Sequence, residues 1–364
     1  MGATRARSKL SEGLFRYSLQ KLVDYIFREK HPGLRVMRFG GLLLSPILAG
    51  VALDLAIPTE HGSIKFSFST EEAIGWLQIG IVAFSVLLIS IGLVWRIRDE
   101  IRRRVIAIEL RGLRDSSGRP LMDAIPRRMI GHRDQLLIDV RQGQDGRLSE
   151  PQAALGQITS LPISLSQRVR GLNRSDISIV LGGLGPVPFC FLVGVLLDDE
   201  DAITFMDWNR HIGSWLELTA PDDGKRFLIE GLDAVHAGTP EVSVAVSVSY
   251  NVEIDKVQEK FPHAPLIKMT LDEGDTEAHW SETKQIALGR QFLNTMIQLA
   301  NKNVRCVHLF LAAPASIAFR FGRLYDKRNL PAVIVYQYAK GQEPRYPWGV
   351  RMPVESVRNA EIVS

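Results

Sequence analysis

The chain has 364 residues, 46% hydrophobic and 23% charged, with a net charge of +4. That length exceeds the roughly 100–200 residues of a usual domain, so more than one folding unit is expected. The apolar content excludes a disordered chain, and the small positive excess is unlike the strong basic balance of a protein that binds long nucleic acid. The cysteines, Cys190 and Cys306, lie in apolar runs without CxxC or Cys/His spacing. They predict buried thiols in a reducing compartment, and no disulfide or zinc framework.

Near the N-terminus, Leu10, Leu14, Phe15, Leu19, Leu22, Val23, Ile26 and Phe27 form an apolar stripe beside Arg16, Lys21 and Arg28. Residues 1–38 therefore read as an amphipathic segment, either lying on the inner leaflet or packed on the rest of the chain. Two long apolar runs follow, 39–57 (FGGLLLSPILAGVALDLAI) and 74–95 (IGWLQIGIVAFSVLLISIGLVW). Each reaches the length of about 20 residues that a helix needs to cross a bilayer, so 39–95 reads as a transmembrane hairpin. A signal peptide fits poorly, because the first run starts far from Met1, lacks a small-residue cleavage site and leads into a second run.

Arg28, Lys30, Arg35 and Arg38 precede the first run, and Arg96, Arg98, Arg102, Arg103 and Arg104 follow the second. The loop between them carries Glu60, Glu71 and Glu72 against Lys65. The positive-inside rule places both termini in the cytoplasm, with Trp76 and Trp95 as interfacial anchors. Asp54 falls within a turn of the outer end of the first run, where a carboxylate costs little. On the second run Gly75, Gln78, Val82, Ser85, Ile89 and Gly92 recur at i, i+3 or i+4 as one small and polar stripe. Two readings stay open. Gly75, Gln78, Val82, Ser85 and Gly92 line a pore built from several chains, or the stripe is the ordinary seam between packed helices.

Residues 96–113 read as a charged amphipathic helix broken by Ser116, Ser117, Gly118 and Pro120, and another helix is expected over 126–141. Residues 96–150 are thus a helical connector. From 151 to 364, short β-rich runs at 177–181, 187–197, 242–249, 266–269, 304–311 and 332–338 alternate with helices at 285–301 and 315–327. That alternation predicts an α/β domain with a mostly parallel sheet. Residues 177–194 (ISIVLGGLGPVPFCFLVG) and 307–322 (VHLFLAAPASIAFRFG) share the order strand, small-residue turn, proline, apolar segment, glycine. This faint duplication suggests two Rossmann-like halves.

The chain has no GxSxG, HExxH or Walker A motif, and Gly182, Gly183 and Gly185 do not make GxGxxG. His308 alternates with apolar neighbours as a satisfied core histidine, and Asp272, Glu273, Asp275 and Glu277 read as a solvated acidic loop. No catalytic, metal or cofactor site is expected. Ligands of open α/β sheets sit beyond the carboxyl ends of the strands. Those ends hold Gly182–Gly185, then Ser249, Tyr250 and Asn251, then Pro314 and Ser316, then Tyr336, Tyr338 and Lys340. Trp208, Arg210, Trp280, Arg345 and Tyr346 are further candidates. Aromatic faces stack on bases, while amides and cations take phosphates. The competing reading for each ring is a place in the core.

The run 307–353 (VHLFLAAPASIAFRFGRLYDKRNLPAVIVYQYAKGQEPRYPWGVRMP) resembles the closing signature of SAVED domains, and 242–253 (VSVAVSVSYNVE) resembles their other recurrent strand, with Ser249 near its end. The resemblance covers residues 150–360. It implies two fused CARF-like Rossmann units that sense cyclic oligonucleotides in bacterial antiphage signalling (CBASS), so 151–364 is expected to bind a cyclic di- or trinucleotide made by a cGAS/DncV-like nucleotidyltransferase. With its membrane segment, the chain resembles a transmembrane SAVED effector of the bacterial inner membrane. Such an effector is a ligand-induced homo-oligomer whose gathered hairpins, among membrane lipids, open a pore. No cofactor is implied beyond the cyclic oligonucleotide as activating ligand. The alternatives are a membrane-anchored α/β enzyme and a passive receptor, acting on a nucleotide or lipid-linked ligand.

Overall fold

The computed structural model describes residues 32–48, 54–59, 62–67, 76–112, 119–142, 148, 150–200, 203–271, 279–355, 357 and 359–364. The amphipathic stripe over 10–27 and the acidic loop 272–277 lie outside them. The chain divides into two compact units, Met1–Arg103 with Ile130–His132, and Arg104–Met129 with Arg133–Ser364.

In the first unit, helix α1 (Pro32–Leu48) is followed by an antiparallel ribbon of β1 (Asp54–Thr59) and β2 (Gly62–Ser67), then by helix α2 (Trp76–Arg102). The first helix thus lies N-terminal to the expected 39–57, and Asp54 belongs to a strand. Proline explains the shift. Pro32 suits a first helical turn, where its missing N–H has no partner in any case, and Pro46 deletes an amide near the helix end. Among the described residues one helical stretch, Ile79–Arg102, is long and apolar enough to cross a membrane. The 17 residues of α1 reach about 25 Å at 1.5 Å per residue.

Glycine sets the seam between these helices. A Cβ on Gly40 would stand 2.8 Å from the Ser85 carbonyl oxygen, and one on Gly92 would stand 2.5 Å from the Gly33 carbonyl oxygen. Ser85 is fully buried there, and its hydroxyl donates to the Ile81 carbonyl at 2.7 Å. Of the small and polar stripe, Ser85 and Gly92 therefore face α1, Val82 is half-buried, Gln78 lies on α2, and Gly75 is outside the described residues.

The second unit contains two sheets built on one plan. Strands β3 (Arg104–Arg111), β4 (His132–Asp139), β5 (Ile177–Leu184), β6 (Ile203–Asn209) and β7 (Ser214–Glu217) pair in the order β4-β3-β5-β6-β7. The second sheet adds β8 (Leu228–Glu230), β9 (Glu241–Ser247), β10 (Leu266–Thr270), β11 (Cys306–Ala312), β12 (Ala332–Gln337), β13 (Trp348–Arg351) and β14 (Glu361–Val363), in the order β14-β13-β12-β11-β9-β10-β8. Within it, β10-β9-β11-β12-β13 repeats the first sheet's arrangement. Strands β3, β5 and β6 run parallel, as do β9, β11 and β12, and each set ends in an antiparallel neighbour. The helices repeat as well: α3 (Leu121–Ala124), α4 (Pro151–Thr159), α5 (Leu161–Val169) and α6 (Val187–Leu196) in the first half, α7 (Ile254–Lys260), α8 (Glu282–Asn301) and α9 (Ala315–Arg323) in the second. The expected fold class, two Rossmann-like halves in the C-terminal part, is what the sheets form.

Three expected elements differ. Residues 104–111, read as part of a helix, form the buried strand β3, and the expected helix at 126–141 is strand β4. Arg104 and Arg111 mask a run of β-branched residues, Val105, Ile106 and Ile108, that is buried on both faces, as parallel strands are. The α/β unit accordingly starts at Arg104 instead of 151, and the stretch 96–150 is not a helical connector. The apolar run 187–197, read as a strand, is helix α6, whose residues Pro188–Val195 are all buried. A helix enclosed on every side loses its amphipathic period, and a short apolar run then fits either structure.

Candidate functional site

Helices α6 and α9 start at the carboxyl ends of the two central strands, β5 and β11. Each is preceded by a proline, Pro186 or Pro314, which has no side-chain acceptor to cap the free amides of the first turn. Both caps come from the opposite half. The Ser316 amide of α9 donates to Asp207 Oδ2 on β6 at 3.3 Å, and the Val187 amide of α6 donates to Gln337 Oε1 on β12 at 3.2 Å. The chemistry of the two caps differs. The Asp207 carboxylate brings a negative charge to the positive end of α9, whereas Gln337 brings a neutral amide to that of α6.

Around Asp207 the halves interlock. Gln285 on α8 donates to Ser316 Oγ at 2.8 Å and to the His279 carbonyl at 2.7 Å, and Arg320 on α9 stacks on Phe205 with 4.5 Å to the ring centroid. Ser316 is therefore a buried member of this polar network. Trp280 packs on His279 at 4.5 Å and Trp208 on Trp215 at 5.4 Å, while Arg210 is exposed.

The second half's carboxyl edge carries most of the remaining candidates. The Ser249 amide donates to the Ala312 carbonyl at 3.3 Å, and its buried hydroxyl has no partner among the described residues. Tyr250, the next residue, is 63% exposed. Farther along the edge, the exposed Tyr338 donates its hydroxyl to Glu253 at 2.6 Å, and Arg345 approaches the same carboxylate at 3.4 Å. That bond to Glu253 raises the Tyr338 pKa. Pro314 immediately precedes α9, two residues beyond Ala312, and Lys340 is exposed beyond β12.

Two candidates belong to the core. Tyr336 and Tyr346 are 5% and 3% exposed, pack on Phe310 and have pKa values raised by burial. Tyr336 holds His308 Nδ1 at 3.1 Å while Glu241 meets Nε2 at 3.2 Å, so His308 is the satisfied core histidine expected. Burial lowers its pKa and raises that of Cys306 to about 11.

Sequence reasoning missed Asp207, Gln337 and Glu109. Glu109 is fully buried at the end of β3, accepting from the Leu121 amide at 2.8 Å and pairing with Arg111 at 2.6 Å. The signal for the first two was available, since a helix opened by proline without Ser, Thr, Asp or Asn before it needs a remote cap. Among the described residues no cluster of His, Cys, Asp and Glu could hold a metal ion.

Residues 163–352 match the family model of SAVED, the SMODS-associated and fused to various effectors sensor domain. Residues 12–155 match that of the SAVED-fused 2TM effector domain. This second match includes β3 and β4, without which the first sheet is incomplete. No curated protein matches. Among solved structures, the Acinetobacter baumannii Cap4 SAVED/CARF-domain containing receptor with the cyclic trinucleotide 2'3'3'-cAAA is 13% identical with a TM-score of 0.46, over 76% of this chain and 55% of that one. A Moraxella osloensis Cap4 receptor is 11% identical with a TM-score of 0.44, over 76% and 58%. The chain spans little more than half the length of these receptors.

Proposed function

From this chain's membership of the SAVED family, whose model matches more than half of it, we propose that it is a ligand-gated membrane effector that binds a cyclic di- or trinucleotide. The A. baumannii receptor, solved with a cyclic trinucleotide, and the neighbouring 2TM effector match support that reading. One observation carries the site: the buried hydroxyl of Ser249, two residues beyond β9 and beside exposed Tyr250, has no partner among the described residues. A buried polar group without a partner calls for one. The strand-end position is where open α/β sheets take ligands. In this reading Tyr250 and Tyr338 stack on bases, Ser249 and Lys340 bind polar edges and phosphate, and the nucleotide acts as activator, not as substrate. The phosphates avoid the N-terminus of α9, because Asp207 already occupies it.

Binding assembles several chains in the bacterial inner membrane, both termini being cytoplasmic, and the gathered hairpins breach it. Because Ser85 and Gly92 pack against α1, this output requires the α1–α2 seam to open. The same packing favours a second reading, an anchored receptor whose hairpin only tethers it. Equilibrium binding of cyclic di- and trinucleotides to the full chain tests the site: wild type binds at least one of them, Ser249→Ala weakens it, and binding by neither ends the reading.

A further inference from the structure

The geometry of α2 points to a binding site for the phosphate headgroup of an acidic phospholipid, formed by Arg98 and Arg102 with Ile97 and Ile101. It rests on the reading of α2 as a membrane span. Trp76 and Trp95 are both exposed and stand 19 residues apart, about 28 Å along a helix rising 1.5 Å per residue. That span equals the hydrocarbon thickness of roughly 30 Å, with an indole at each boundary. Yet α2 does not stop at Trp95. It continues to Arg102, which carries its last two turns through the headgroup layer.

On this overhang Ile97 and Ile101 are 47% and 73% exposed, at a depth where hydrocarbon no longer covers them. Arg98 and Arg102, one residue on from each, repeat the same i, i+4 spacing, so an apolar ridge and a basic ridge lie side by side. Val94, Ile97, Arg98, Ile101 and Arg102 line a shallow groove of about 460 Å³. Both arginines are exposed and form no ion pair among the described residues, whereas nearby Arg103 is engaged by Asp99 at 3.5 Å.

The groove therefore asks for a ligand with an anion beside an apolar body. A free phosphate would leave the isoleucines wet. A second copy of the helix related by symmetry would set arginine against arginine. An acidic phospholipid satisfies both ridges: its phosphate takes guanidinium N–H donors, which match it bidentately, and its glycerol and upper acyl region cover Ile97 and Ile101.

The test uses the purified full chain in neutral detergent, titrated with phosphatidylglycerol or phosphatidylcholine and read by native mass spectrometry. Wild type is expected to retain phosphatidylglycerol preferentially, and Arg98→Gln/Arg102→Gln to lose about 25-fold in that retention, since each basic residue at an acidic leaflet contributes roughly a factor of five. Arg103→Gln should leave it unchanged, and Ile97→Ser/Ile101→Ser should weaken it with the charges intact. Equal retention of the two lipids by wild type, or undiminished preference in the double arginine variant, would overturn the proposal. Alkaline carbonate extraction separates the two ideas. A chain that stays in the membrane without lipid preference refutes the headgroup site alone, and a chain that is extracted refutes the membrane span as well.

Discussion

Gly194 on α6 and Gly322 on α9 are each other's counterpart: a Cβ on Gly194 would lie 2.1 Å from the Phe319 carbonyl oxygen, and one on Gly322 would lie 2.0 Å from that of Phe191. The two phenylalanines occupy the same place in their helices, five residues beyond Pro186 and Pro314. The halves thus meet about a local pseudo-two-fold axis, where the helix backbones touch because neither glycine has a side chain.

Either glycine replaced by alanine would push the helices apart. We expect Gly194→Ala and Gly322→Ala each to cost about 3 kcal/mol, at the upper end of overpacking losses, or roughly 6–12 °C in Tm. Gly156→Ala on α4 is the control: its Cβ would meet nothing within 4 Å, so Tm should rise by roughly 1–4 °C, in line with about 0.5–1 kcal/mol of helix propensity.

The crossed caps make a second expectation. Asp207→Ala leaves the Ser316 amide buried without an acceptor and should cost about 1–2 kcal/mol in denaturant unfolding. Gln337→Ala, which removes a neutral cap from α6, should cost less than 1 kcal/mol. Equal losses would show that the charge of Asp207 is not part of its role.

At the carboxyl edge, affinity and stability should part company. Ser249→Ala removes a hydroxyl with no partner among the described residues, so Tm should hold or rise slightly while nucleotide affinity falls. Tyr338→Ala and Tyr250→Ala should weaken binding by about 1–3 kcal/mol per lost stacking contact and leave folding intact. Tyr346→Ala should instead unfold the chain at lower temperature, because that ring is in the core. Calorimetric titration beside thermal melts distinguishes the two patterns.

His308 supplies a pH dependence. Burial lowers its folded-state pKa below the usual value of about 6.5, so the unfolded chain binds the proton more readily. Its stability contribution is then full above pH of about 6.5 and is lost as pH falls through the folded-state pKa. His308→Gln should flatten the decline in Tm on that acid limb, and an unchanged slope would assign it to other groups.

The hairpin seam can be forced. Gly92→Val places a side chain against the Gly33 backbone and should separate α1 from α2. If opening the seam is the output step, this variant leaks dye from liposomes without nucleotide. Leakage that still needs nucleotide would confine the seam to packing.

Much of this architecture was legible in the sequence. Apolar runs such as 242–249 and 304–311 announced the parallel strands, and the shared proline and glycine of 177–194 and 307–322 announced the duplication, because a close helix crossing admits nothing larger than glycine. Strands β3 and β4 were hidden by their flanking arginines, and α6 by being apolar all round. The site was less legible: Tyr336 lies within β12 and Tyr346 in the bend before β13, both packed on Phe310 in the core, while Tyr250 and Tyr338 follow the ends of their strands and remain outside. Ser316 looked free for a ligand, yet Gln285, thirty-one residues away in the chain, occupies its hydroxyl.

The most direct test of ligand-gated membrane disruption is dye release from liposomes that carry the full chain, with and without cyclic di- and trinucleotides. Release is expected only with a nucleotide that binds, and none from Ser249→Ala at the same concentration. Saturating binding without release at high protein density would contradict it and leave the hairpin a tether.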